Sequence, residues 1–421
     1  MLNRKLLTKI PMNIIEDPRN IQRSLLKVAL SRDPVLTLDQ KTELRQNSLC
    51  DRIDGSPALY NEAAYQSSLA AHFPQIPKSD LLQFCGGGCT ETMLTGISNV
   101  GSLDAGINLA LIFEHVMQKA LPTAPNFEAF YQAYLETCRE EITHVLHCIS
   151  QSQMQRAKYR PQPMRTLLID DCIDRERDFN DGGARYVWSV VNLAGIINVL
   201  DSLLTVRALV FESRTMSAQE FIDRLADESL FSHRKGIDRH GVDAPAANAL
   251  ATRFSQDVCE IFDACTPWSG GKFLPSSIQF TTYTDAGRAV GATPDGRRTG
   301  APLCDSIGAI HGNDTRGVTS MLNSASALCQ EKLLGTPILN VRMNAPDIKK
   351  TLRALSEGYF RKGGMQMQIT CVNHEELLEA REHPERYPNL IVRIGGYSEY
   401  FARLSPELQQ TVIERTICRG E

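Results

Sequence analysis

The chain has 421 residues, of which 42% are hydrophobic and 22% charged, with 28 Gly and 20 Pro; this is the profile of an ordinary folded protein rather than a disordered or fibrous one. Its formal net charge is only -4 and Lys and Arg are scattered among Asp and Glu, so there is no basic stripe to track a phosphate backbone and nucleic acid is not expected as a partner. The 12 Cys show no paired CxxC spacing and the 9 His no HExxH, so no metal site is expected and the thiols read as free, in a reducing compartment.

In chain order, MLNRKLLTKIPMNIIEDPRN breaks at Pro11 and Asp17 before any long apolar stretch, which argues against a secretory leader and for a cytoplasmic location. The first eighty residues read as mostly helical, with DRIDGSPALYNEAAY as a loop. QFCGGGCTETMLTG then places three glycines directly before Cys89, a backbone free of side chains that shapes a loop. From Asn126 to Ser150, apolar residues such as Phe127, Phe130, Tyr131, Tyr134 and Ile142 recur at helical spacing.

TLLIDDCI (166–173) reads as a short strand and FNDGGARY (179–186) as a loop. The stretch from Trp188 to Val206 is the most apolar, yet Asn192, Asn198 and Asp201 are expensive in lipid, so it reads as a buried helix rather than a membrane span. Ser217 with Glu220 forms a capping-box pattern. Alternating strand and helix predict an α/β fold. Turn formers in ATPDGRRTGAPLCDS mark a boundary near Gly291 and divide the chain into 1–290 and 291–421.

In the second part, PILNVRM (337–343), MQMQITCV and NLIVRI read as strands, the middle one with its methionines on one face and Gln366 and Gln368 on the other. HEELLEAREH is a helix stopped by Pro384, and Ser405 with Pro406 opens the last helix.

Arg393-Ile394-Gly395-Gly396-Tyr397-Ser398 resembles the radical-site signature of glycyl radical enzymes, whose usual form is Arg-Val-x-Gly-Tyr. The MQMQITCV strand, the HPERYP helix end, NLIVRI and the LSPELQ helix follow in that family's order. Gly396 aligns with the glycine that loses an α hydrogen. A planar α-carbon radical is delocalised by the flanking amide and carbonyl, and a side chain would obstruct it. GGGCTET resembles the family's Gly-Cys-x-Glu loop, GSPALYNE the segment before it, and Asn108, Leu109 and Glu114 the helix after it. FNDGGARY and ATPDGRRTGAPLCDS resemble two further family segments, read here as loops that support the site.

The resemblance is to the pyruvate formate-lyase-like and glycyl radical dehydratase types. It implies the carboxy-terminal half of a ten-stranded α/β barrel, with 1–290 as a partial barrel domain lacking its amino-terminal half and 291–421 as the glycine radical domain. Gly396, Cys89 and Glu91 are the catalytic residues it implies: radical store, thiyl, and general base. The single Cys followed by Thr90 and Glu91 favours a dehydratase or C–X lyase acting on a small polar substrate. The alternatives are formate acetyltransferase-like acyl transfer to coenzyme A, disfavoured by the missing second cysteine, and a half that is incomplete without a partner chain. The resemblance further implies anaerobic conditions and a radical-SAM activating enzyme as partner, with no bound cofactor. The oligomeric state stays open, homodimers being common among full-length members, as do the roles of Cys85 and Cys304.

Overall fold

The computed structural model describes residues 58–87, 90–99, 103–279, 281–342, 345–370, 374–393 and 398–414. The chain enters through strand β1 (Ala58–Tyr60), helix α1 (Glu62–His72), capped by the Asn61 side chain, and the short helix α2 (Lys78–Leu81). Strands β2 (Phe84–Gly86) and β3 (Thr92–Leu94) pair antiparallel as a hairpin. Next come β4 (Leu103–Asn108), α3 (Leu109–Ala120), whose N-cap is Asn108, and the long α4 (Phe127–Tyr159), capped by Asn126. The capping carboxamide satisfies an orphan N–H of the first turn, which is why each helix starts where it does.

Residues 166–173, read as strand from sequence, form no strand: the first three close the helix α5 (Pro163–Leu168), which has Pro163 in its first turn and no buried residue, and the rest turn away from it. The apolar stretch read as one helix is two elements. Trp188–Ala194 is strand β5, buried along its whole length, and Ile196–Val206 is helix α6, extended by a π-helical stretch, Arg207–Glu212. Gly195 makes the break, at φ +83, a conformation that other residues rarely adopt. A strand buried on both faces carries no alternation, so its period was invisible.

Helix α7 (Ala218–Ala226) begins at Ser217, whose hydroxyl accepts from the Glu220 N–H; the Glu220 carboxylate pairs with Arg224, so only half of the box is made. Helix α8 (Pro245–Glu260), strand β6 (Lys272–Ser277), and helices α9 (Thr282–Arg288) and α10 (Gly317–Ser326) follow. The predicted strand 337–343 is split into β7 (Thr336–Pro337) and β8 (Asn340–Arg342), which belong to different sheets. Helix α11 (Ala345–Arg361), strand β9 (Gln366–Thr370), helix α12 (His374–Glu382), the antiparallel pair β10 (Ile391–Arg393) and β11 (Ser398–Tyr400), and helix α13 (Pro406–Glu414) complete the order.

The fold is α/β. Strands β4-β5-β6-β7 form a parallel sheet in that order, each connection carrying helices, as parallel pairing requires. A second sheet, β1-β9-β8, pairs β1 antiparallel and β8 parallel to β9. The main apolar core lies between the parallel sheet and α3, α4, α6 and α8. A separate cluster of Leu377, Ala380, Val392, Phe401, Leu404, Val412 and Ile413 holds the last elements together. Among the described residues, no helix is long and apolar enough to cross a membrane.

Candidate active site

Cys89 and Gly396 lie outside the described residues, so their flanks carry the geometry. Cys89 belongs to the connection between β2 and β3. The Gly87 N–H donates to the Glu91 carbonyl at 2.7 Å, and the Thr90 N–H to the Gly87 carbonyl at 2.6 Å, so the chain reverses tightly around that connection. A Cβ on Gly86 would lie 2.1 Å from the Tyr60 hydroxyl, and one on Gly87 would lie 2.1 Å from Met93 Sδ. A side chain at either glycine would therefore have to displace Tyr60 or Met93. Gly396 falls in the connection between β10 and β11, where Arg393 pairs with Ser398.

Glu91 is described and buried, at 7% exposure. Thr90 beside it is fully buried at φ +83, and Thr336 is fully buried at φ +135, both in the region that β-branched residues avoid. The two are bonded to each other: the Thr336 hydroxyl donates to the Thr90 carbonyl at 2.7 Å. The Tyr65 hydroxyl in turn donates to Thr336 Oγ1 at 3.5 Å, and burial pushes its phenol well above the usual value. Two strained threonines held against each other mark the spot where the fold over-determines a local shape, a pattern concentrated at functional sites. They are 246 residues apart in sequence, and no local signal could have paired them.

Further bonds fix the hairpin to the sheet. The Trp188 indole N–H donates to the Thr92 carbonyl at 3.1 Å, and the Thr92 hydroxyl donates to the Leu334 carbonyl. Thr95 donates to Cys85 Sγ at 3.1 Å, so Cys85 is a packed thiol at the root of the hairpin. The loop 179–186 supports the same region, because Tyr186 exchanges backbone bonds with Ile97 and Asn99. Its Gly183 leaves no room for a side chain: a Cβ would sit 2.2 Å from the Arg177 carbonyl.

Gln366 and Gln368 share one face of β9, opposite its apolar residues, and both are fully buried, as are Met367 and Ile369 on the other face. Gln366 stands opposite Tyr60 in the β1–β9 register, its Oε1 accepts from the Leu339 N–H at 3.1 Å, and its Nε2 has no hydrogen-bond partner among the described residues. This face of β9 therefore shares a side of the sheet with the tyrosine that touches Gly86.

The segment 292–305 builds a second buried polar cluster. Arg297 donates to the carbonyls of Ala301, Gly291, Val290, Arg298 and Gly287, and Asp295 accepts from Asn198 Nδ2 at 2.6 Å. The carboxamide oxygen of Asn198 accepts from the Cys304 N–H at 2.7 Å, and burial drives the Cys304 thiol far above its usual range, so Cys304 too is a packed residue. Glu114 accepts from the Gly291 N–H at 3.0 Å, tying α3 to the same loop.

Asp201 lies beneath this cluster, accepting from the His240 N–H at 2.8 Å and from Asn313 Nδ2 at 3.3 Å. Burial raises its carboxyl to about 7, and nearby Asp295 adds to the rise. Burial lowers His240 to about 4. The raised carboxyl means that the folded state binds the extra proton, so this stabilisation is complete below the unfolded value and is lost as pH climbs through about 7. His240 acts in the opposite sense, its contribution being lost as pH falls toward about 4. Asp201→Asn removes only the first effect. Its unfolding free energy relative to the parent should therefore improve by about 1.4 kcal/mol per unit between roughly pH 5 and 7, then level off. Urea unfolding at four pH values checks this; a difference independent of pH contradicts it.

Among the described residues no group of three or more His, Cys, Asp or Glu could hold a metal ion. What the geometry defines is an α/β protein with a hairpin, bonded to the parallel sheet through Trp188, whose connection brings Thr90 and Glu91 into the interior. The pyruvate formate lyase-like family model matches residues 52–287 and the glycine radical model residues 303–402. The chain belongs to the pyruvate formate lyase-like family of glycyl radical enzymes.

A probable dehydratase of Escherichia coli K12 is 31% identical over 271 residues, covering 60% of this chain and 34% of that protein. The trans-4-hydroxy-L-proline dehydratase of Clostridioides difficile is 26% identical over 437 residues, covering 96% of this chain and 53% of the relative. A structure from Roseburia inulinivorans, described for 1,2-propanediol dehydration, superposes with a TM-score of 0.84 at 26% identity, covering 90% of this chain and 51% of the other. The chain thus spans about half the length of these larger relatives or less.

Proposed function

We propose that the chain is the catalytic carboxy-terminal half of a glycyl radical dehydratase or C–X lyase, with Gly396 as radical store, Cys89 as thiyl and Glu91 as general base. The observation that carries this is the pair Thr90 and Glu91, both buried, directly after the one cysteine of the loop, Cys89, with Thr90 held by its strained contact with Thr336. The relatives just described, which include dehydratases of a hydroxylated amino acid and of a diol, support elimination over acyl transfer to coenzyme A. The substrate class is a small molecule carrying a hydroxyl next to the C–H that is cleaved.

In this reading Gly396 gives up its hydrogen to a radical-SAM activating enzyme. The radical then takes hydrogen from Cys89, and the thiyl takes hydrogen from substrate carbon. Glu91 accepts the proton of the substrate hydroxyl as the neighbouring leaving group departs, and Cys89 returns its hydrogen to the product radical. A carboxylate withdrawn from water suits this proton transfer.

The parallel sheet would be part of one half of a ten-stranded barrel, the other half coming from a second polypeptide segment, and the glycine radical domain would run from residue 291. The separate apolar cluster around β10 and β11 supports presentation of that domain to the activating enzyme.

Electron paramagnetic resonance after anaerobic activation is the test. An organic radical with one α-hydrogen splitting is expected in the parent and none in Gly396→Ala; the same signal in both would sink the assignment.

A further inference from the structure

Thr90 is the single residue between Cys89 and the buried Glu91, and its backbone is gripped on both sides. Its N–H donates to the Gly87 carbonyl at 2.6 Å, and its carbonyl accepts from the Thr336 hydroxyl at 2.7 Å. The first bond fixes the peptide plane that joins Thr90 to the residue before it, and the second fixes the plane that joins it to Glu91. Peptide planes are rigid, so pinning both of them sets the φ and ψ of Thr90. The setting is φ +83, where a β-branched residue does not rest unaided. The Thr90 hydroxyl makes no hydrogen bond among the described residues, so its own side chain does nothing to keep that shape.

Of the two bonds, the one to Gly87 is local and belongs to the turn. The one from Thr336 arrives from the parallel sheet, where the flanking chain is fastened down. Thr336 and Pro337 pair with Ser276 and Ser277 of β6. The Gly335 N–H donates to the Pro275 carbonyl at 2.9 Å, and a Cβ on Gly335 would lie 2.8 Å from the Leu274 carbonyl oxygen. The Leu334 carbonyl accepts from the Thr92 hydroxyl. A hydroxyl has one hydrogen and a carbonyl can only accept, so the Thr336 hydrogen goes to Thr90 while its lone pairs take the Tyr65 phenol. Thr336 reaches this position at φ +135, a strained conformation that its own strand pairing does not call for.

We propose that Thr336 is a positioning residue of the radical reaction: through the Thr90 carbonyl it sets the angle between Cys89 and Glu91 and aims the thiol at Gly396. Rotation about the φ or ψ of Thr90 turns everything before it relative to everything after it. The left-handed setting therefore decides where a thiol on one side stands with respect to a carboxylate on the other, as a bulge re-aims a side chain. A hydroxyl anchored on the sheet keeps that setting in the scaffold rather than in the loop, which suits groups that must stay within about 0.5 Å of their working geometry. The inference rests on the reading of Cys89 as the thiyl carrier.

The test is the rate at which the activated full chain loses its α-hydrogen splitting in deuterium oxide, which follows hydrogen passing between Gly396 and the Cys89 thiol and needs no substrate. Thr336→Val keeps the branched shape and removes the hydroxyl. Thr90 can then leave its strained setting, and exchange should slow roughly 10²-fold with the amount of radical and the circular dichroism unchanged. Thr336→Ala should slow it likewise and serves where the valine variant does not fold. Thr336→Ser keeps the donor and should exchange at close to the parental rate. Thr90→Gly added to Thr336→Val should bring the rate back toward the parent, because glycine rests at φ +83 without a hold, whereas a purely structural loss would not respond to that second change. Parental exchange in the folded valine or alanine variant overturns the proposal, as does a slowing that Thr90→Gly leaves in place. A parent that keeps its splitting overturns the role of Cys89 itself and this inference with it.

Discussion

In deuterium oxide the activated protein should lose the hydrogen splitting of its glycyl radical, and the Cys89→Ser variant should keep it. A radical on Gly396 retains one α hydrogen, which splits the resonance in two. If Cys89 exchanges hydrogen with that radical, the atom passes to sulfur, and thiol hydrogens exchange with solvent. The atom returned to Gly396 is then deuterium, whose weaker coupling collapses the doublet. Serine occupies the same volume to within one atom, so the turn made by Gly87, Thr90 and Glu91 should survive. Its O–H bond is too strong to yield hydrogen to a glycyl radical, so exchange should stop while the radical itself forms normally. The readout needs no substrate and no complementary half, which separates the Gly396–Cys89 connection from any question of turnover. A parent that keeps its doublet, or a Cys89→Ser variant that loses it, would remove Cys89 from the radical path.

The parts of the fold that could be read from sequence are those specified by neighbours in the chain. The helical spacing that begins after Asn126 for α4, Ser217 as the cap of α7, and Ser405 with Pro406 at the start of α13 are each set by residues within a few turns, so the sequence alone places them. The merging of strand and helix has a physical origin, which is that burial on both faces erases periodicity. Strand β5 is buried throughout and merged with α6 into a single apolar run. In β9 the alternation of Met and Gln was legible and the strand is there, with the Gln face buried alongside Tyr60. In 166–173 the apolar run suggested a strand, while the structure ends a helix there and leaves Leu167, Leu168 and Ile173 exposed.

The candidate site divides along the same line. The order Gly-Gly-Gly-Cys-Thr-Glu is a local signal and was legible, as was the Arg-Ile-Gly-Gly-Tyr segment. Thr336, Tyr65 and Trp188, which hold the cysteine loop in place, contribute single residues from distant elements with nothing unusual around them in sequence. Asp201 was read only as a residue too polar for a membrane, and its partners His240 and Asn313 come from loops that reach it through the fold.

Glu91→Gln should reduce turnover by about 10²–10⁴-fold while leaving the amount of glycyl radical unchanged. The side chains have nearly the same shape, and the backbone bond from Gly87 to the Glu91 carbonyl does not involve the carboxylate, so the buried loop should keep its form. What is lost is the ability to accept a proton. A hydroxyl next to a carbon radical is far more acidic than an ordinary alcohol, and its deprotonation pushes electron density toward the departing neighbour; without a base in the closed site that step must wait for water. Because the thiyl at Cys89 still forms, hydrogen abstraction from substrate should continue. Deuterium placed on the abstracted carbon should therefore wash out into unreacted substrate faster, relative to product, than in the parent. Glu91→Asp, a base one methylene shorter, should recover part of the rate. The measurement is anaerobic turnover of hydroxylated substrates, beginning with propane-1,2-diol and trans-4-hydroxy-L-proline, with spin quantitation on the same samples. Full activity in Glu91→Gln, or a parallel loss of radical and rate, would take the proton transfer away from Glu91.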